Sequence, residues 1–130
     1  LAGHSDADVL LHAVIDALVG AAALGDIGEF FPDSDPFYKD VRSTLLLEEV
    51  FKKLNENGWL IENIYVTVIC ELPKISLYKD KIRKSISELT QTSIDRVMIK
   101  GKTTEKLGFT GRGEGIAVIA SALLRKAEEI

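Results

Sequence analysis

Residues 64–70 read Ile64-Tyr65-Val66-Thr67-Val68-Ile69-Cys70 and decide the fold. The even-numbered side chains would share one face and the odd-numbered ones the other, which is the period of a β-strand. Because both faces carry apolar residues, we expect a central strand or one that is covered on both sides.

Three segments around this strand have the apolar spacing of amphipathic helices. Ser5 or Asp6 is expected to cap the first helix, and Gly25 is expected to end it. Gly58 is expected to end the second. The predicted ranges are Asp6 to Leu24, about Ser43 to Asn57 and about Leu77 to Leu89.

Two further strands complete the predicted sheet. Val97 to Lys100 enters a polar loop, and Ile116 to about Leu124 follows that loop, although its alanines also suit a helix. Prolines, glycines and aspartates crowd residues 25–40, which predicts a loop there. A chain of 130 residues with this mixture indicates one α+β domain, in which helices pack on one side of a small mixed sheet.

The composition argues against several classes of protein. A net charge of −4 disfavours a dedicated nucleic-acid surface, which normally carries a basic stripe. No apolar run reaches the length of a membrane span, and no signal peptide is recognised. Cys70 is the only cysteine, so the chain cannot form an internal disulfide and a reducing compartment is expected.

Both histidines, His4 and His12, lie in the first dozen residues. In the predicted helix Asp8, His12 and Asp16 are four residues apart and share one face. A carboxylate commonly orients a metal-binding imidazole by accepting its second N–H. An exposed polar stripe explains the same spacing, so the pattern alone leaves both interpretations open.

The loop at residues 25–40 carries candidate ligand groups. Residues 31–35 bring two aspartates together, which suits either a turn or a ligand site. Asp26 lies between Gly25 and Gly28, and glycines allow a ligand to approach the backbone closely.

Two later loops could bind phosphate. Residues 101–105, Gly-Lys-Thr-Thr-Glu, lack the first glycine of a Walker motif. Their lysine, hydroxyls and carboxylate still suit a diphosphate with a divalent ion, and Thr104 could equally cap a helix. Residues 111–115, Gly-Arg-Gly-Glu-Gly, fit a hairpin turn or an arginine that binds phosphate.

Taken in order, these motifs resemble one family, the 2-C-methyl-D-erythritol 2,4-cyclodiphosphate synthases of non-mevalonate isoprenoid biosynthesis. Each motif is weak alone, but the ordered set is specific and covers nearly the whole chain. The motifs are His-Ser-Asp-Ala-Asp-Val from His4 followed by His12, Gly-Asp-Ile-Gly from Gly25, Phe-Pro-Asp-Ser-Asp-Pro from Phe31, Pro73-Lys74, and Thr-Thr-Glu-Lys-Leu-Gly-Phe-Thr-Gly-Arg-Gly-Glu-Gly from Thr103.

The resemblance implies an intramolecular phosphoryl transfer, catalysed by a lyase. The 2-phosphate of 4-diphosphocytidyl-2-C-methyl-D-erythritol 2-phosphate attacks the β-phosphorus, CMP leaves, and the cyclic diphosphate forms. Such an enzyme mainly positions its substrate and neutralises charge. It needs no protein nucleophile, and the sequence shows no nucleophile arrangement of recognisable spacing.

The resemblance also implies the roles of particular residues. His12 would bind zinc or a similar divalent transition metal, Glu105 would bind magnesium or manganese, and His4 and Thr103 would be catalytic. To these roles the helix spacing adds Asp16 as a partner of His12. The implied substrate-binding residues, among which 70–76 form the cytosine pocket, are His4, Ser5, Asp26, Ile27, Gly28, Phe31, Pro32, Asp33, Ser34, Asp35, Cys70, Glu71, Leu72, Pro73, Lys74, Ile75, Ser76, Lys102, Thr103, Thr104, Glu105, Phe109 and Arg112.

Finally, the resemblance implies a homotrimer with active sites between subunits, in a bacterial cytoplasm or a plastid stroma. Members of the family begin with a strand whose Asp-x-His motif supplies two more zinc ligands, and this sequence contains no such motif. We therefore expect residues 1–130 to form an N-terminally incomplete synthase domain. Two alternatives stay open: a non-catalytic trimeric scaffold that binds phosphate, and the C-terminal part of a bifunctional enzyme with a cytidylyltransferase domain.

Overall fold

A computed structural model of the protein describes residues 4–25, 42–70, 75–102, 108 and 116–128. These ranges contain three helices, three strands and a short 3₁₀ turn. In chain order they are α1 (His4–Ala21), α2 (Ser43–Glu56), β1 (Trp59–Ile69), α3 (Ile75–Leu89), the 3₁₀ turn (Ile94–Arg96), β2 (Val97–Lys102) and β3 (Ala117–Lys126).

β1 is the central strand of the sheet, whose order is β2-β1-β3. β2 runs parallel to β1, with Lys102 opposite Ile69, and β3 runs antiparallel, with Ala117 also opposite Ile69. A parallel neighbour requires a crossover connection, and α3 lies in that connection. The prediction of a central strand in a small mixed sheet is therefore confirmed.

The core lies between one face of the sheet and the helices. Ile64, Val66 and Val68 are fully buried on this face of β1, as their alternation predicted. Burying each large apolar side chain contributes about 1.5–3 kcal/mol, which fixes the helices to this side. The largest fully buried partners on the other elements are Leu10, Ile15, Leu18, Leu47, Leu54, Ile86 and Ile99.

The opposite face of the sheet, which we name the open sheet face, exposes apolar side chains. Tyr65, Met98, Ile119 and Leu123 are 40, 43, 62 and 60% exposed. The register places Ile119 opposite Thr67, so these side chains share the odd-numbered face of β1. Within the described part of the chain, the sheet is therefore not covered on both sides.

α1 ends earlier than its sequence predicted. Ala23 has a left-handed φ of 58°, and the N–H of Leu24 donates to the carbonyl oxygen of Val19 at 2.9 Å. This is the Schellman pattern of a helix end. The helix therefore ends at Ala21, and the prediction that Gly25 ends it is wrong.

The other boundaries differ from the predictions by a few residues. Ser5 and Asp6 lie within α1, so the predicted N-cap is wrong. Gly58, with φ 78°, follows α2 as predicted. β3 is a strand, and its alternative as a helix is excluded. None of the helices in the described ranges is long and apolar enough to cross a membrane.

β1 begins at Trp59, five residues before the predicted start. Its pairing with β3 shifts between Ile61 and Asn63, so Glu62 is the extra residue of a β-bulge. Before the bulge, the odd-numbered residues Trp59 and Ile61 face the core. After it, the even-numbered residues from Ile64 onward face the core. The period-two pattern is therefore interrupted in the middle of a continuous strand.

Candidate functional site

The ends of β1 and β2 bring two of the predicted ligand loops together. The backbone N–H of Cys70 donates to the carbonyl oxygen of Lys102 at 3.0 Å. Cys70 is buried, whereas the side chain of Lys102 is exposed. The carboxyl ends of parallel strands meet at one edge of a sheet, where ligands of open sheets commonly bind. We name this end of the sheet the loop edge.

The third strand adds its own connection to the loop edge. Ala117, the first residue of β3, lies opposite Ile69 near the carboxyl end of β1. The polar segment between β2 and β3 therefore leaves and rejoins the sheet at the same edge. The beginnings of the predicted cytosine loop and the predicted diphosphate loop are thus neighbours in one chain.

His12 lies on the solvent-facing side of α1. Asp8, His12 and Asp16 are all exposed, which confirms that the three side chains share one face. Within the described ranges, no three His, Cys, Asp or Glu side chains group closely enough to hold a metal ion. In this part of the chain, His12 therefore does not belong to a group of three side chains that could hold a metal ion.

α1 and β2 occupy different flanks of β1. α1 packs mainly against β3, and the sheet order places β2 on the other side of the central strand. The described fold therefore pairs Lys102 with Cys70, whereas His12 belongs to the helix over the opposite flank.

The other predicted site residues are only partly within the described ranges. His4 and Ser5 lie in the first turn of α1, and Ile75 and Ser76 lie in the first turn of α3. The remaining predictions fall outside the described residues: Asp26, Ile27, Gly28, Phe31, Pro32, Asp33, Ser34, Asp35, Glu71, Leu72, Pro73, Lys74, Thr103, Thr104, Glu105, Phe109 and Arg112.

A charged cluster that the sequence did not reveal lies at the other end of the sheet. The Glu62 carboxylate contacts Nη1 of Arg96 at 2.9 Å and Nε of Arg125 at 2.7 Å. The hydrogen bond from Arg96, supported by Arg125, holds the pKa of Glu62 below its ordinary value. The only sequence signal was the break in the period-two pattern at Glu62.

Fold and loop edge together define a small α+β domain whose candidate ligand loops leave one end of a mixed sheet. Comparison with known proteins places the chain within this class. A family model described as the YgbB family matches residues 1–125. The chain belongs to the YgbB family.

Its relatives have one name in common. Proteins from Bacillus cytotoxicus and Bacillus mycoides, both named 2-C-methyl-D-erythritol 2,4-cyclodiphosphate synthase, are 53% identical to this chain over 126 residues. The matched region covers 97% of this chain and 80% of each relative.

Solved structures show the same fold. The bifunctional IspDF from Campylobacter jejuni matches with a TM-score of 0.84 and 41% identity, over 92% of this chain and 32% of that one. IspF from Plasmodium falciparum, solved as a CDP complex, matches with a TM-score of 0.83 and 32% identity, over 97% of this chain and 76% of that one. The family resemblance that the motifs predicted is therefore confirmed.

Proposed function

We propose that this chain converts 4-diphosphocytidyl-2-C-methyl-D-erythritol 2-phosphate to 2-C-methyl-D-erythritol 2,4-cyclodiphosphate and releases CMP. The observation that carries the proposal is the hydrogen bond between Cys70 and Lys102. It joins the beginnings of the loops assigned to the cytosine and to the diphosphate, so one edge can bind both parts of a cytidine diphosphate ester. The CDP complex of the Plasmodium falciparum relative supports this class of ligand.

The proposed reaction needs no nucleophile from the protein. An oxygen of the 2-phosphate bonds to the β-phosphorus, the bond from that phosphorus to the bridging oxygen breaks, and its electron pair leaves with CMP. Both reacting phosphates belong to one molecule, so the chain gains most by holding them in line. The exposed ammonium of Lys102 at the loop edge supplies positive charge for the phosphate oxygens.

Two metal ions are part of the proposal: zinc or a similar transition metal at His12, and magnesium or manganese at Glu105. The exposed imidazole of His12 is accessible to an ion. A catalytic zinc normally has three protein ligands, and no group of three such side chains is present among the described residues. No step of the proposed reaction is therefore assigned to either metal. The roles of His4, Ser5 and Thr103 at the phosphates rest on the family resemblance.

We also propose a homotrimer with active sites between subunits. The open sheet face supports this proposal, because monomeric proteins rarely expose contiguous apolar patches of this kind. Placement of His12 and Lys102 on opposite flanks of β1 supports a shared site, to which one subunit contributes α1 and its neighbour the loop edge. The bacterial relatives support a bacterial cytoplasm as the compartment, with a plastid stroma as the alternative.

A CMP-release assay with matched lysine variants tests the proposed function. Lys102→Gln removes the positive charge at the loop edge, and we expect kcat/KM to fall about 10- to 100-fold. Lys52→Gln is the control, since Lys52 is an exposed lysine of α2. Equal activity of the two variants would contradict a role for Lys102. Failure of a protein extended upstream of Leu1, supplied with zinc and magnesium, to release CMP would overturn the proposed reaction.

Zinc affinity tests the proposed partnership between Asp16 and His12. If the Asp16 carboxylate orients the imidazole from one turn away, Asp16→Asn should weaken zinc binding about tenfold. Asp95→Asn changes an equally exposed aspartate in the 3₁₀ turn and serves as the control. Equal zinc affinities in Asp16→Asn and the unmodified protein, measured by competition with a chelating dye, would refute the partnership.

The match to the bifunctional Campylobacter jejuni protein is compatible with one further arrangement, in which this chain is the C-terminal part of a bifunctional enzyme. The nucleotide sequence upstream of the codon for Leu1 decides this point directly. The scaffold alternative makes a different prediction, namely CDP binding without zinc. About one zinc per subunit in purified protein would exclude the scaffold, and its absence alongside bound CDP would support it.

A further inference from the structure

A cleft of about 280 Å³ lies at the end of the sheet opposite the loop edge. Leu60, near the start of β1, lines it, whereas the loop edge begins after Ile69. Nine residues of extended strand separate these two positions, which corresponds to about 30 Å. The cleft is therefore a second concave surface, remote from the loops assigned to the substrate.

The lining of the cleft combines apolar side chains with polar ones and with positively charged ones. Phe51, Leu60 and Ile61 supply the apolar surface, and the only charged side chains among the described residues that line it are Arg96 and Arg125. No carboxylate lines the cleft in this part of the chain. In a protein with a net charge of −4, this local positive charge selects for an anion.

Glu62, which is not among the described residues that line the cleft, holds the two arginines in place. Its two carboxylate oxygens accept from Nη1 of Arg96 and Nε of Arg125, respectively. Two guanidinium groups against one carboxylate leave a net charge of about +1. Nη2 of Arg96 and both terminal nitrogens of Arg125 bond no other described residue. Within the described part of the chain, these N–H groups are therefore available to a ligand, and Glu62 positions both side chains.

The segment that follows α3 is also fixed in shape. Thr90 donates its hydroxyl to the carbonyl oxygen of Ile86 at 2.7 Å, and Thr92 donates its hydroxyl to the carbonyl oxygen of Thr90 at 3.1 Å. The exposed side chains of Gln91 and Ser93 project from this segment at the cleft. Groups ordered before binding reduce the entropy lost on association.

We propose that this cleft is a second ligand site of the chain, for a phosphate monoester of small-molecule size. The phosphate would accept from the terminal N–H groups of Arg96 and Arg125 that bond no other described residue, since guanidinium groups match phosphate oxygens in pairs. The organic part would lie against Phe51 and Leu60. The volume is near the lower end for small-molecule pockets, which favours a ligand smaller than the proposed nucleotide substrate.

Amide chemical shifts of the ¹⁵N-labelled protein test the proposal by location. Phenyl phosphate is the probe. Inorganic phosphate, which lacks the ring, measures what the apolar part contributes, and benzoate, which lacks the phosphate, measures what the phosphate contributes. We expect saturable shifts at Leu60 and at residues 91–93, with phenyl phosphate binding more tightly than either comparison. Shifts confined to the neighbourhood of Cys70 and Lys102 would place the probe at the loop edge and overturn the proposal.

Matched double variants separate the specific site from general charge. Arg96→Gln with Arg125→Gln should weaken binding at the cleft about tenfold or more, because both charged pairings are lost. Lys81→Gln with Lys84→Gln makes the same change in net charge on exposed residues of α3 and should leave binding unchanged. Equal weakening in both double variants would refute the site. If the arginine variant does not fold, the location of the shifts in the unmodified protein still decides.

Discussion

At the scale of single residues, Ala23 and Gly58 stand at equivalent positions after α1 and α2, with φ values of 58° and 78°. A left-handed conformation costs a residue with a Cβ about 1–2 kcal/mol, and glycine avoids this strain. The chain therefore ends one helix with the residue suited to the conformation and the other with a residue that is strained.

This difference predicts opposite effects for two substitutions. Ala23→Gly should raise the free energy of unfolding by about 0.5–1 kcal/mol, because relief of strain exceeds the added entropy of the unfolded chain. Gly58→Ala should lower it by about 1 kcal/mol, and no neighbouring atom lies within 4 Å of the added Cβ to contribute a clash. Urea denaturation of both variants checks the two signs, and equal signs would contradict the strain argument.

The sequence predicted the placement of single residues of the candidate site better than the contacts between residues that are distant in the chain. His12 and Asp16 were expected on one face of a helix, and both are exposed there. The contact between Cys70 and Lys102 could not be predicted from spacing, because it depends on which strands are neighbours. Glu62, Arg96 and Arg125 were missed for the same reason, since they are separated by 34 and 29 residues along the chain.

At the scale of elements, β1 shows both the strength and the limit of periodicity. The alternation at Ile64, Val66 and Val68 predicted the buried face and the central position of the strand correctly. The first five residues were missed, because the bulge at Glu62 reverses the alternation. A bulge adds one residue to one strand only, and its position depends on the partner strand, which a local pattern does not contain.

The bulge residue Glu62 forms ion pairs with two arginines, so we expect its contribution to the stability of the fold to depend on pH. Glu62 belongs to β1 and contacts Arg96 just before β2 and Arg125 in β3. Because its pKa in the folded protein is below the ordinary value of 4.5, its charge stabilises the fold above that pH. This contribution is lost as the pH falls through the lowered folded-state pKa.

Glu62→Gln should therefore have a lower urea midpoint than the unmodified protein at pH 7, and the difference should shrink steadily below pH 4.5. Glu48→Gln alters an exposed glutamate of α2 and provides the control. A difference between Glu62→Gln and the unmodified protein that stays constant from pH 7 to pH 3 would show that the carboxylate charge is not responsible.

At the scale of the whole molecule, the sheet has helices on one face and exposed apolar side chains on the other. The proposed trimer would bury the open sheet face, so a charge placed there should prevent assembly. Ile119→Glu places a carboxylate at a position that is 62% exposed in the single chain, and a charge buried without a partner is strongly unfavourable.

Light scattering coupled to size exclusion measures this effect directly. The unmodified protein should have three times the 14.3 kDa mass of one chain, and Ile119→Glu should have the mass of one. Leu45→Glu is the matched control, because Leu45 is 53% exposed on α2, away from the sheet. A trimer that persists in Ile119→Glu would exclude the open sheet face as the interface.

The hydrogen bond from Cys70 to Lys102 has a thermodynamic consequence for substrate selection. Its donor belongs to the loop assigned to the base and its acceptor to the loop assigned to the diphosphate. Neither Cys70 nor Lys102 can move away from the sheet without breaking this hydrogen bond. Under the proposed function, this bond couples the positions of Cys70 and Lys102, so the two halves of the substrate bind cooperatively. A nucleobase without its diphosphate, or a diphosphate without its nucleobase, would lack the affinity that this cooperativity adds.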